Sequence, residues 1–144
     1  MEETRVNEAY KKSKTTIYLE TLQTAFDSQE AINQYRLSAV VLDALNDTEN
    51  AKEFPLEVDA AKAQLEKFNC ANLKDYFMQY AEVIDPMFCT VGDAIVILDE
   101  PYDDVAFNVG SHFMFVHDET ETVKVTPIAF NDIPQGAIAF RLTK

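Results

Sequence analysis

The stretch from Gly92 to Val125, GDAIVILDEPYDDVAFNVGSHFMFVHDETETVKV, decides the fold. Ala94 to Leu98 is apolar at every position, which predicts a strand covered on both faces. Val105, Phe107 and Val109 alternate with Ala106 and Asn108, as in a half-buried strand. Gly110-Ser111 is a tight turn. In the strand His112 to His117, Phe113 and Phe115 take one face and Met114 and Val116 the other. Thr122 to Thr126 follows, and Pro127 ends that strand or places it at a sheet edge. After the turn Pro134-Gln135-Gly136, the closing run GAIAFRL sends Ile138, Phe140 and Leu142 one way and Ala137, Ala139 and Arg141 the other.

Working back toward the N-terminus, the period changes from two residues to three and four. Ile17, Tyr18, Leu22, Ala25 and Phe26 fall at helical spacing from Thr15. Asp27, with Glu30 three residues on, predicts a capping box for a helix from about Ser28 to Leu45. Pro55 can open a third helix with the stripe Val58, Ala61, Leu65 and Phe68. Asn72, with Asp75 at the third position, caps a short aromatic helix ending near Ala81, and Asp85-Pro86 marks the passage to strands. The expectation is one α+β domain. Residues 1–14 read as a frayed helix start or a mobile arm, with the basic cluster Lys11, Lys12 and Lys14, residues 15–81 supply three or four helices, and residues 92–142 supply an antiparallel sheet of about five strands.

Composition narrows the chemistry. The chain has 144 residues, is 47% hydrophobic and carries a formal net charge of -13. That is enough apolar material for a core, and the charge disfavours nucleic acid and anionic membranes. No apolar run reaches the length of a membrane span and the N-terminus has no apolar signal region, so the expected location is the cytoplasm, or an assembly that carries the chain out of it. With 3 glycines there is no glycine-rich phosphate loop, and with 2 cysteines there is neither a disulfide framework nor a zinc pattern. Cys70 and Cys89 read as buried thiols in a reducing setting.

In a meander, alternate turns share one end of the sheet. DEPYDD and DETE should therefore meet, bringing together Asp99, Glu100, Asp103, Asp104, Asp118, Glu119 and Glu121, with Tyr102 among them. Solvated turns, a cation site and a contact for a basic protein are the readings open to such an end, although no EF-hand spacing is present. A catalytic set of Cys89 with His112 or His117 is weak on three counts. Cys89 precedes a strand in an acidic chain, the two histidines point to opposite faces, and nothing marks a helix N-terminus at the thiol. No catalytic residue, cofactor or metal is assigned.

Four segments, NQYRLSAVVLDALND, VGDAIVIL, VAFNVGSHFMFV and GAIAFRL, follow an order that resembles the small phage-encoded relatives of NlpC-type cell-wall hydrolases, which have a papain-like fold. The family's early helix carries the catalytic Cys at its start, and a later strand begins near the catalytic His. At those places this chain has Gln34 and Tyr35, and Asp104 and Val105. The resemblance therefore implies a papain-like scaffold without the hydrolase: a non-catalytic protein–protein interaction protein, as in virion structure or tail assembly. The alternative is an acidic inhibitor that imitates nucleic acid on a host enzyme, and an active cell-wall hydrolase comes last.

Overall fold

The computed structural model describes residues 12–117, 120–129, 131 and 133–144. Among the described residues, four α-helices precede a six-stranded antiparallel sheet, an α+β arrangement. The helices are α1 (Lys14–Ser28), α2 (Gln34–Asn46), α3 (Val58–Lys67) and α4 (Leu73–Met78). The strands are β1 (Glu82–Ile84), β2 (Asp93–Ile97), β3 (Asp104–Asn108), β4 (His112–Val116), β5 (Val123–Pro127) and β6 (Ile138–Arg141), in the order β1-β6-β2-β3-β4-β5.

The α1 helix begins where its pattern predicts, with the Ser13 hydroxyl accepting from the Thr16 amide at 3.2 Å. The second helix is a correction. Asp27 caps nothing. It sits in the last turn of α1 and accepts from the Gln23 amide at 2.9 Å, and Gln29 ends that helix in the left-handed region at φ 51°. The true cap of α2 is Asn33, whose side-chain oxygen accepts from the Arg36 amide at 2.8 Å. Its amide donates to the carbonyls of Pro55 and Leu56 at 2.9 and 3.0 Å. Ile32 is held out of the helix because its N–H donates to the Glu121 carbonyl at 2.7 Å. A contact across the fold thus overrides the local Asp27/Glu30 signal.

Pro55 likewise does not open α3. The Glu57 carboxylate does, accepting from the amides of Asp59 and Ala60. At α4 the expected cap forms: Asn72 accepts from Asp75 N–H at 3.0 Å, and the Asp75 carboxylate accepts from Ala71 N–H at 3.0 Å.

The sheet is larger than expected by the three-residue strand β1, and it is not a simple meander. Strands β2 to β5 run up and down in sequence. β6 then returns to pair with β2 on its other side, with Ala94 opposite Phe140, and carries β1 outside it, with Val83 opposite Phe140. Pro127 both ends β5 and lies on an edge. Gly92 enters β2 at φ 94°, where a Cβ would collide with the Thr143 side chain, so the Gly-Asp pair at the head of this strand requires its glycine.

The helices cover one face of the sheet. Val96, Phe107, Met114, Val123 and Phe140 from that face join Tyr18, Leu22, Tyr35, Leu42, Leu65 and Phe77 in one core. On the other face Ile95, Phe113 and Ala139 pack with Cys89 and with Ile128, Ile133 and Ala137 of the β5–β6 connection. The apolar run Ala94 to Val96 of β2 is buried for this reason: helices lie on one side and the returning connection on the other. Both cysteines are free and buried.

Candidate contact surface at the acidic end of the sheet

The antiparallel pairing puts the β2–β3 connection and the β4–β5 connection at one end, as the spacing of the acidic turns requires. There they meet the N-terminus of α2. A cleft of about 350 Å³ lies between them, lined by Gln34, Asp99, Glu100, Asp104, His117 and Glu121 among others. Asp118 and Glu119, also expected here, fall outside the described residues.

The residues of DEPYDD divide into two groups. Asp99 and Glu100 are exposed, and the Asp99 carboxylate accepts from the Glu100 amide at 2.8 Å. Tyr102 is half-buried and donates its hydroxyl to the Asp59 carboxylate on α3, and that bond raises its pKa. Lys62, also on α3, donates to the Pro101 carbonyl, stands 5.8 Å from the centre of the Tyr102 ring and approaches Glu100 at 3.9 Å. The ion pair is exposed and worth little, but together these contacts pin the turn to α3.

Asp103 belongs to the interior, which corrects its expected place on the contact surface. It is 7% exposed. Its carboxylate accepts from Leu73 N–H, at the start of α4, at 3.0 Å. Its own N–H donates to the Tyr35 hydroxyl at 3.0 Å, and its carbonyl accepts from the Gln34 amide at 2.7 Å. Burial pushes the Tyr35 phenol up to about 12, which keeps it neutral as part of this network. Asp104, at the head of β3, is half-buried and lines the cleft. The outward acids among the described residues are thus Asp99, Glu100 and Glu121. The Glu121 turn is fixed at φ 53°, its N–H donating to the His117 carbonyl at 2.8 Å.

The two faces of this end that sequence reading missed are contributed by α2 and α3. Asn33 did offer a signal, being a good cap residue just ahead of an apolar run. Nothing local marks Asp59 as the partner of Tyr102, because 43 residues separate them.

The thiol–imidazole set does not assemble. Cys89 takes its hydrogen bond from the Asn108 amide at 3.5 Å, at the end of β3 remote from Asp104. Nδ1 of His112 meets the Ser111 hydroxyl at 2.7 Å, and His117 lies at the other end of β4, in the acidic cleft. Burial pushes the Cys89 thiol up, and the nearby Asp93 adds to this against the opposing effects of Asn108 and Arg141. Cys70 is shifted the same way, again first by burial. A raised thiol holds its proton at neutral pH and is a poor nucleophile. Both cysteines are therefore expected to react with a disulfide reagent such as Ellman's only after denaturation. Rapid labelling of Cys89 in the native protein would contradict this account. Among the described residues no group of three His, Cys, Asp or Glu is placed to hold a metal ion, and no helix is long and apolar enough to cross a membrane.

Comparison with family models, with curated proteins and with solved structures found no match.

Proposed function

We propose that the chain is a non-catalytic protein–protein interaction protein, built on a papain-like scaffold of the NlpC kind, that serves in a phage virion or in tail assembly. One observation carries this reading. The two positions that the resemblance assigns to the catalytic Cys and His, Gln34 at the head of α2 and Asp104 at the head of β3, line the same cleft although 70 residues separate them in sequence. Sequence order alone did not require them to meet. An amide and a carboxylate there supply no thiolate, and the amide of Gln34 is already committed to the Asp103 carbonyl. The rim offers Asp99, Glu100 and Glu121 to a partner, and rim charges of one sign chiefly set encounter rate and salt dependence against a basic surface.

Mass spectrometry of purified virions tests the assembly role. The chain is expected at many copies, and incorporation should fall when Asp99→Asn, Glu100→Gln and Glu121→Gln are combined. Absence from the virion would overturn it. Absence together with competition against DNA for a host enzyme would instead favour the inhibitor reading, which the clustered carboxylates also support. Release of peptides from cell-wall fragments that disappears with Cys89→Ala would overturn the non-catalytic reading itself.

A further inference from the structure

The connection between β2 and β3 is fastened at both ends and loosely held between them. The ladder stops where Ile97 lies opposite Asp104. Asp103 is anchored in the interior through its carboxylate, its N–H and its carbonyl. Leu98 to Tyr102 span these two fixed points. Leu98, Asp99, Glu100 and Pro101 are exposed. Beyond the strands, and among the described residues, no backbone–backbone hydrogen bond ties Leu98 to Tyr102 to the rest of the chain. One face of α3 holds them instead. Asp59 and Lys62 stand three positions apart there, as neighbours on a helix surface. The Asp59 carboxylate accepts from the Tyr102 hydroxyl, and Lys62 donates to the Pro101 carbonyl and faces the Tyr102 ring at 5.8 Å. The third contact, Lys62 to Glu100, joins side chains that are 41% and 92% exposed.

We infer that Leu98 to Tyr102 form a strap that swings between a closed position, latched to Asp59 and Lys62 of α3, and an open one, and that this latch sets access to the cleft behind it. The strap supplies one wall of that cleft through Asp99, Glu100, Pro101 and Tyr102, and Asn33, Gln34, His117 and Glu121 also line it. A segment held by solvent-exposed side chains, with its backbone hydrogen-bonded to water, belongs to the least stable part of a fold and opens without global unfolding. The Tyr102 ring packs against the margin of the core and keeps the closed position in the majority. Asp103 and Ile97 do not follow, because the interior network and the ladder fix them, so the motion is confined to the residues between. Its consequence for a partner rests on the reading of this end as the contact surface. A partner that enters the cleft selects the open position, and its apparent affinity is reduced to the fraction of molecules that are open.

The full chain tests this without any partner. Relaxation dispersion of the backbone amides should show microsecond-to-millisecond exchange at Asp99, Glu100 and Tyr102, with Leu73 on the far side of the Asp103 anchor quiet. Tyr102→Phe and Lys62→Met each remove a latch contact, and each should raise the open population about 5-fold with an unchanged melting temperature. Modification by diethyl pyrocarbonate reads the same opening chemically. The rate at His117, in the cleft, should rise with the open population, while the rate at His112, at the other end of β4, stays at the parent value. Absence of exchange at the strap in the parent and in both variants overturns the inference. So does a His117 rate indifferent to both variants, or a rise shared equally by His112, which reports general loosening. Virion incorporation bears on the partner alone. A strap that opens in a protein absent from the virion removes the assembly reading and leaves the latch; a rigid strap in an incorporated protein does the reverse.

Discussion

Phe107→Ala is expected to remove about 3–5 kcal/mol of stability, a large share of the 5–15 kcal/mol that typically holds a domain together. Phe107 is fully buried on β3. Its ring meets Tyr18 of α1 edge-on at 6.3 Å and Phe77 of α4 at 6.3 Å, and Phe77 stacks in turn on Phe140 of β6 at 5.5 Å. One side chain therefore joins the first helix, the last helix and the middle of the sheet. The site has little freedom to collapse around an alanine. Tyr18 is tethered by its hydroxyl to the carbonyls of Asp93 and Asn108 at 3.1 and 2.7 Å, and burial raises its phenol far enough to keep that donor protonated. Urea unfolding checks the expectation: the midpoint should fall while the slope stays near that of the parent. Phe115→Ala is the comparison, since Phe115 is half-buried on the outer face, against the groove under the β5–β6 connection. If Phe107→Ala costs no more than Phe115→Ala, the helix-facing layer is not the principal core.

The sequence carries this core well because the features that build it are local and periodic. Ala94 to Leu98 reads as buried on both faces, and it is buried as far as Val96, with Ile97 half-buried and Leu98 exposed. The alternation of Phe113 with Met114 reads as two faces, and the structure sends Met114 to the helices and Phe113 to the outer cluster. The pair Asn72 and Asp75 carries its own geometry in a three-residue spacing. What the sequence withholds is settled by distant partners. Asp27 and Glu30 have the spacing of a capping box, but Ile32 spends its N–H on Glu121 and the helix starts at Asn33 instead. Three residues, Glu82 to Ile84, are too few to show a period, so β1 and the exposed turn beside it pass as a mere break at Asp85-Pro86. The return of β6 to the far side of β2 leaves no mark on either strand, because both neighbours accept the same apolar faces. The shared end of the two acidic turns was legible because it follows from counting strands. The contributions of α2 and α3 to that end were not.

Asp103 and Asp104 show the limit most sharply, and they set the second large effect. Side by side in the sequence they look equivalent, yet Asp103 turns inward because Leu73, fully buried at the first position of α4, needs an acceptor for its N–H. Asp103→Ala leaves that donor without a partner and removes a carboxylate from the positive end of the helix dipole. The expected cost is about 2–3 kcal/mol, as for the loss of a charged acceptor from a buried donor. Asp103→Asn keeps a side-chain oxygen within reach and should recover part of the loss. Asp99→Asn and Glu100→Gln, on exposed side chains of the same turn, should stay within about 0.5 kcal/mol of the parent. Thermal and urea unfolding of the four variants decides the matter: an Asp103→Ala protein as stable as the Asp99→Asn one would return Asp103 to the surface. The order also governs how the acidic end can be probed. Neutralising all of DEPYDD at once would unseat α4 and weaken partner binding through unfolding alone. Only Asp99, Glu100 and Glu121 report on the contact itself.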